Sequence, residues 1–176
     1  MISAIAAIDK NYSIGYKNKL LYRCPEDMQY FKKLTLDRTV IMGRNTFESM
    51  NSKPLPERDN IVITSNLDKY YKLSYQHKNL KFVTLTNILK QLEDKKFSND
   101  RNIFIIGGQR IYEELIDYCI DIYLTKYDYE FENSDAYFPR IVDIKYKPVE
   151  HIYSGIFNDH NITIDRYTKG IEKYKL

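Results

Sequence analysis

The stretch LLYRCPEDMQYFKKLT, residues 20–35, places a carboxylate where its own pattern predicts a buried face. At about 100° per residue, Cys24, Met28, Phe31 and Thr35 point one way with Leu34 beside them, while Glu26, Gln29, Lys32 and Lys33 point elsewhere. Asp27 falls on the apolar side. Pro25 at the first helical position and acids in the first turn make a sound helix start, which accounts for Glu26. It does not account for an acid facing inward, because burying a carboxylate without a partner is costly or forces its pKa up. Position 27 by itself leaves open whether the acid serves the helix or a pocket.

Three other stretches have residue types and spacings suited to binding. In VIMGRNTFESM, residues 40–50, a strand runs into Gly43, which allows close backbone approach, and Asn45 or Thr46 can cap a following helix. Arg44 adds a planar fork of donors at the same place, so the junction suits an anion as well as an ordinary capped helix. In IFIIGGQRIYEEL, residues 103–115, four apolar residues lead to Gly107 and Gly108 and then a helix, a geometry in which a pyrophosphate can rest on bare backbone. Neither G-x-G-x-x-G nor the P-loop pattern is present, and a tight strand-to-helix turn reads equally well. In KPLPERDNIVITSN, residues 53–66, Pro54 and Pro56 stiffen a loop that carries Arg58, suited to two-pronged capture of a carboxylate or to plain solvation. Two anion-ready junctions in one small domain favour a dinucleotide.

The elements that position these residues follow from hydrophobic runs. Short continuous apolar runs at Ile2–Ile8, 39–42, 60–64 and 103–106 predict strands buried on both faces, and Pro25–Thr35, 46–50, 87–96 and 110–118 read as helices between them. Alternating strands and helices predict an α/β, three-layer sandwich: a central, mostly parallel, eight-stranded mixed sheet flanked by about four helices. Residues 121–129 alternate at period two, and 147–153 with 161–167 predict an antiparallel edge hairpin across a loop at 154–160. Residues 16–24 show no periodicity and read as a loop.

Composition bounds the rest. The 176 residues suit a single domain over 1–176 with one core. With 27 Lys and Arg against 24 Asp and Glu and no long basic run, no nucleic-acid partner is expected. Two isolated cysteines and three scattered histidines lack metal spacing, so no metal is expected and a reduced, cytoplasmic setting is. The apolar N-terminal run stops at Asp9 without a basic start, and no run approaches 18 apolar residues, so neither a signal peptide nor a membrane span is expected. A monomer is the default, since no exposed apolar stripe asks for a partner.

Taken in order, ISAIAAID, PEDM, VIMGRNTFESM, PLPERDNIVITS, IIGGQRIYEEL, IYLTKYD and DAYFP resemble the dihydrofolate reductase family, with a match running from residue 2 to 139. The resemblance implies NADPH-dependent reduction of dihydrofolate to tetrahydrofolate. It implies that Asp27 hydrogen-bonds the pterin, with Thr125 contacting pterin and acid, and that Arg58 grips the glutamate α-carboxylate. By the same resemblance Ile5, Ala6, Ala7, Met28, Phe31, Met50, Leu55, Ile106 and Tyr112 line the substrate pocket. The implied cofactor contacts are Ala7, Ile14, Gly15, Gly43, Arg44, Asn45, Thr46, Ile63, Thr64, Ser65, Ile106, Gly107, Gly108, Gln109, Arg110, Ile111 and Tyr112, with Arg44 and Ser65 reading the 2′-phosphate. Residues 11–24 resemble the segment that closes over the nicotinamide.

The chain departs from the family at Leu21 and Tyr22, where relatives carry Pro-Trp, and it has no Trp at all. Tyr22 then stands in for the Trp that holds a water near the pterin, a catalytic supporting part. Asn45 replaces a residue that is often basic. Two rival readings are a riboflavin-pathway pyrimidine reductase, which needs neither Asp27 nor Arg58, and a folate-binding protein with degraded catalysis.

Overall fold

The computed structural model describes residues 1–94, 102–140 and 145–170. Strands are β1 (Ile2–Ile8), β2 (Ser13–Gly15), β3 (Thr39–Gly43), β4 (Asp59–Ile63), β5 (Leu80–Val83), β6 (Ile103–Ile105), β7 (Asp121–Tyr127), β8 (Ala136–Tyr137), β9 (Tyr146–Phe157) and β10 (His160–Lys169). Helices are α1 (Pro25–Thr35), α2 (Arg44–Ser49), α3 (Tyr71–Gln76), α4 (Leu85–Glu93) and α5 (Gln109–Leu115), with 3-10 turns at Asp68–Tyr70 and Ile116–Tyr118.

Eight strands form one mixed sheet in the order β5-β4-β3-β6-β1-β7-β10-β9. All pairs from β5 to β7 are parallel, and β10 and β9 close the sheet antiparallel. Period-two alternation splits each central strand between two cores. Ala4, Ala6, Ile41, Ile63, Ile103 and Ile105 pack with α4 and α5. Ile5, Val40, Met42, Val62 and Phe104 pack with Phe47 of α2, the inner residues of α1 and Leu73 of α3. Three layers result, as the alternation of elements predicts.

Several local expectations change. The described residues hold five α-helices against the expected four or so: α3 leaves no readable stripe in the sequence because only Leu73 of its six residues enters a core. The Asn45 or Thr46 cap does not form; α2 starts one residue after the strand and Gly43 is its cap. Residues 16–24 form no helix or strand beyond an isolated Tyr16–Lys19 bridge, as expected, but residues 13–15 just before them form β2, which pairs with β8 in a separate two-stranded sheet. The hairpin loop at 154–160 shrinks to Asn158 and Asp159, both at positive φ (48° and 64°), as a two-residue type I′ turn requires. Helix residues 95–96 of the expected 87–96 span and the tail 171–176 lie outside the described residues.

Candidate active site

Parallel strands leave their carboxyl ends on one side of the sheet, and ligands of open α/β folds bind there. A cleft of about 980 Å³ opens at that side. Ala6 and Ala7 near the end of β1, Gly43 to Thr46 at the end of β3 and beyond, Ile63 to Ser65 at the end of β4 and beyond, and Ile106 with Gly108 to Tyr112 after β6 all line it, with Ile14 and Gly15 of β2. Of the residues expected at a cofactor, Gly107 alone is not on this wall.

Gly107 is buried and joins the two glycine junctions instead: its carbonyl accepts the Gly43 N–H at 2.7 Å. It holds φ at +106°, and a Cβ there would lie 2.9 Å from the Tyr112 ring, so only glycine suits the position. A Cβ on Gly43 would lie 2.9 Å from Ile111 Cγ1. Both glycines are thus required by packing between the junctions as much as by any ligand. Tyr112, buried, donates its hydroxyl to the Ile5 carbonyl at 2.7 Å and so ties α5 to β1 under the cleft floor.

Between β7 and α1, Thr125 Oγ1 donates to Asp27 Oδ1 at 2.6 Å. Thr125 is the register partner of Ala7 across β7 and β1, which sets the acid beside the cleft. Burial raises the Asp27 pKa, and the Thr125 hydrogen bond opposes that rise. No cation is among the groups that shift it. Among the described residues the inward acid makes no ion pair; its hydrogen-bond partner is Thr125. Phe31, Met50, Leu55 and Ile106 pack partly buried against the cluster containing Ile5, but Met28 is 45 % exposed, so the apolar side of α1 is not wholly covered by protein.

Arg58 is not presented on a solvated loop; it is buried. Its Nε donates to Thr35 Oγ1 at 2.8 Å and its Nη1 to the Pro56 carbonyl at 2.7 Å, and the guanidinium lies 5.9 Å from the Phe31 ring centre. Thr35 in turn donates to the Phe31 carbonyl at 2.7 Å, so the last turn of α1 orients the arginine. The loop is shaped by Asn60, which sequence reasoning missed. Its amide donates to the Leu55 and Arg58 carbonyls and accepts the Leu55 N–H, each at 2.9 Å.

The segment after β1 is anchored by Asp9, also missed: one oxygen accepts the N–H groups of Asn11 and Ser13 at 2.8 Å, the other that of Phe131 at 3.0 Å. Gln109 adds a tie by accepting the Tyr137 N–H at 2.9 Å. Tyr22 is placed against the Tyr127 and Phe131 rings, and its hydroxyl is buried with no partner among the described residues. It makes no hydrogen bond to Asp27. Cys24 and Cys119 are free and buried.

The family model for dihydrofolate reductase matches residues 1–169. The chain belongs to the dihydrofolate reductase family. It is 42 % identical over 138 residues to the dihydrofolate reductase of Buchnera aphidicola from Acyrthosiphon pisum, covering 78 % of each chain. It is 40 % identical over 149 residues to that of Bacillus subtilis, covering 85 % of this chain and 82 % of the relative. In structure it is similar to the dihydrofolate reductase from Enterococcus faecalis complexed with NADP(H) and RAB-propyl: TM-score 0.79, 30 % identity, 97 % and 96 % of the two chains.

One cluster outside the dihydrofolate reductase cleft has a catalytic look. Ser154 Oγ lies 2.8 Å from His151 Nε2 and His151 Nδ1 2.7 Å from Asp165 Oδ1. A bulge in β9 opposite Ile164 and Asp165 puts His151 and Ser154 on one face of the ribbon. His151 is 57 % exposed at the sheet edge, and Lys126 holds the other oxygen of Asp165 at 2.8 Å. We read it as a solvated network that stiffens the ribbon.

Proposed function

We propose that the cleft binds NADPH along the junctions after β3, β4 and β6 and a dihydrofolate between α1 and β1, and that the chain reduces 7,8-dihydrofolate to 5,6,7,8-tetrahydrofolate. The observation that carries this reading is a half-buried acid, Asp27, raised in pKa by burial and hydrogen-bonded by Thr125, whose register partner Ala7 lines a cleft that is also walled by glycine backbone and Arg44. The donor set suits a dinucleotide: backbone of residues 43–46 and 108–110 for the pyrophosphate, Arg44 and Ser65 for a 2′-phosphate.

Held there, NADPH would supply a hydride to C6 of the pterin. Asp27 holds the pterin's amino group and adjacent ring N–H, and its negative charge in a poorly solvated site raises the proton affinity of N5. Thr125 fixes the carboxylate's orientation. Arg58, already oriented by Thr35 and Pro56, offers its remaining donors to the α-carboxylate of the glutamate tail. The segment anchored by Asp9 and paired through β2 and β8 covers the nicotinamide end and excludes water.

We read the enzyme as a single-domain cytoplasmic monomer. One sheet running from Ile2 to Lys169 and two buried free thiols support that reading, and no helix of the described residues is long and apolar enough to cross a membrane. The test is loss of NADPH absorbance on adding dihydrofolate. Turnover with dihydrofolate supports the proposal; binding without turnover, or turnover only with a ribosylamino-pyrimidine, overturns it.

A further inference from the structure

Behind the Arg44 corner lies a charge cluster that the cleft wall does not include. Glu48 of α2 is shared by three donors. Arg44 Nη1 reaches its Oε2 at 3.3 Å, Lys69 Nζ reaches its Oε1 at 2.8 Å, and the Tyr70 hydroxyl donates to the same Oε1. Tyr70 is buried, its ring stacked on Phe82 with centres 4.6 Å apart, so the core fixes the end of this chain. Lys69 is delivered by the same segment that carries Ser65: the Asn66 N–H is accepted by Thr64 Oγ1, and the Lys69 N–H by Asn66 Oδ1. The Lys69 ammonium also lies 5.1 Å from the Tyr70 ring centre.

We infer that Lys69 is a specificity-determining positioning residue: by neutralising Glu48 it leaves Arg44 free to exchange that carboxylate for the cofactor's 2′-phosphate. The inference rests on the reading of the cleft as an NADPH site. Arg44 cannot offer the same donors to Glu48 and to a phosphate at once. When it turns to the phosphate, Glu48 remains a carboxylate near a dianion. With Lys69 present, the three side chains sum to one positive charge; without it they sum to zero, and like-charge repulsion falls on the phosphate. The Lys69 hydrogen bond also holds the Glu48 pKa below its ordinary value, the sign of a favourable contact between the two charges. NADH lacks the group concerned and should not sense the change.

The experiment is equilibrium binding of NADPH and NADH to the purified enzyme, by fluorescence quenching or calorimetry, at low and high salt. Lys69→Met should weaken NADPH about three- to ten-fold and NADH by less than two-fold, the modest size reflecting solvent exposure of the pair. Glu48→Gln in the Lys69→Met background should restore most of the lost preference. High salt should shrink the difference. A Lys69→Met enzyme whose NADPH-to-NADH preference matches the parent overturns the inference, as does equal weakening of both cofactors. A parent enzyme with no preference for NADPH would overturn the cofactor reading itself, a separate outcome.

Discussion

Two carboxylates on neighbouring helices, Asp27 of α1 and Glu48 of α2, each accept a hydroxyl hydrogen bond, from Thr125 and from Tyr70 respectively. Their proton affinities move in opposite directions. Asp27 rises because burial outweighs one neutral donor, whereas Glu48 falls because Lys69 adds a charged donor in a site open to water. Solvent and a cation, not the carboxyl group or its hydroxyl neighbour, separate a proton-tuning acid from a structural tether.

The largest test of that contrast is Asp27→Asn. Dihydrofolate reduction at pH 7 should fall by about 10²-fold or more, with partial recovery in acid, where the substrate arrives already protonated; steady-state rates across pH check this. The fold should survive and even gain. A group whose folded pKa is raised favours the folded state below its unfolded pKa, and that benefit is lost as pH climbs through the folded pKa. Asparagine carries no charge to desolvate, so Tm should rise by roughly 2–4 °C at pH 8 and by less near pH 4. Parent-like turnover at neutral pH would erase the distinction between the two acids.

Next in size, Arg58→Ala should weaken dihydrofolate about 10- to 100-fold and leave NADPH affinity within two-fold, since the arginine is buried and pre-oriented; calorimetry with each ligand decides it. Tight folate binding by that variant would move the carboxylate clamp elsewhere. Arg44→Ala should weaken NADPH about ten-fold and NADH little, because this arginine is exposed and exchanges partners with water. Equal losses would remove the 2′-phosphate assignment. The smallest effect belongs to Thr125→Val: loss of the opposing hydrogen bond should let burial raise the Asp27 pKa further. The limb of the pH–rate profile governed by Asp27 should then shift to higher pH, and a downward shift would contradict the assigned sign.

The odd acid at position 27, the two glycine junctions and the split of β1, β3, β4 and β6 between two cores are legible in the chain, because periodicity records which face of an element meets the interior. Residues that act by closing distant loops are not. Asp9 binds the N–H of Phe131, and Asn60 shapes the loop before it by contacts that no local pattern announces. The carbonyl of Gly107 bridges to Gly43, and Arg58, in the loop the sequence marks, has its side chain buried; neither contact is written in a local pattern. The burial of the Tyr22 hydroxyl between Tyr127 and Phe131, with no partner among the described residues, is likewise unmarked in the sequence.

Local chemistry thus determined the main strands and helices, the family and the residue types at the cleft, since strand periods, glycine turns and helix starts are properties of short segments. Only the tertiary structure decided which polar groups meet, that Thr125 rather than a cation faces Asp27 and that Lys69 faces Glu48. Those pairings join residues 98 and 21 positions apart, and their energies depend on how much water the surrounding packing removes.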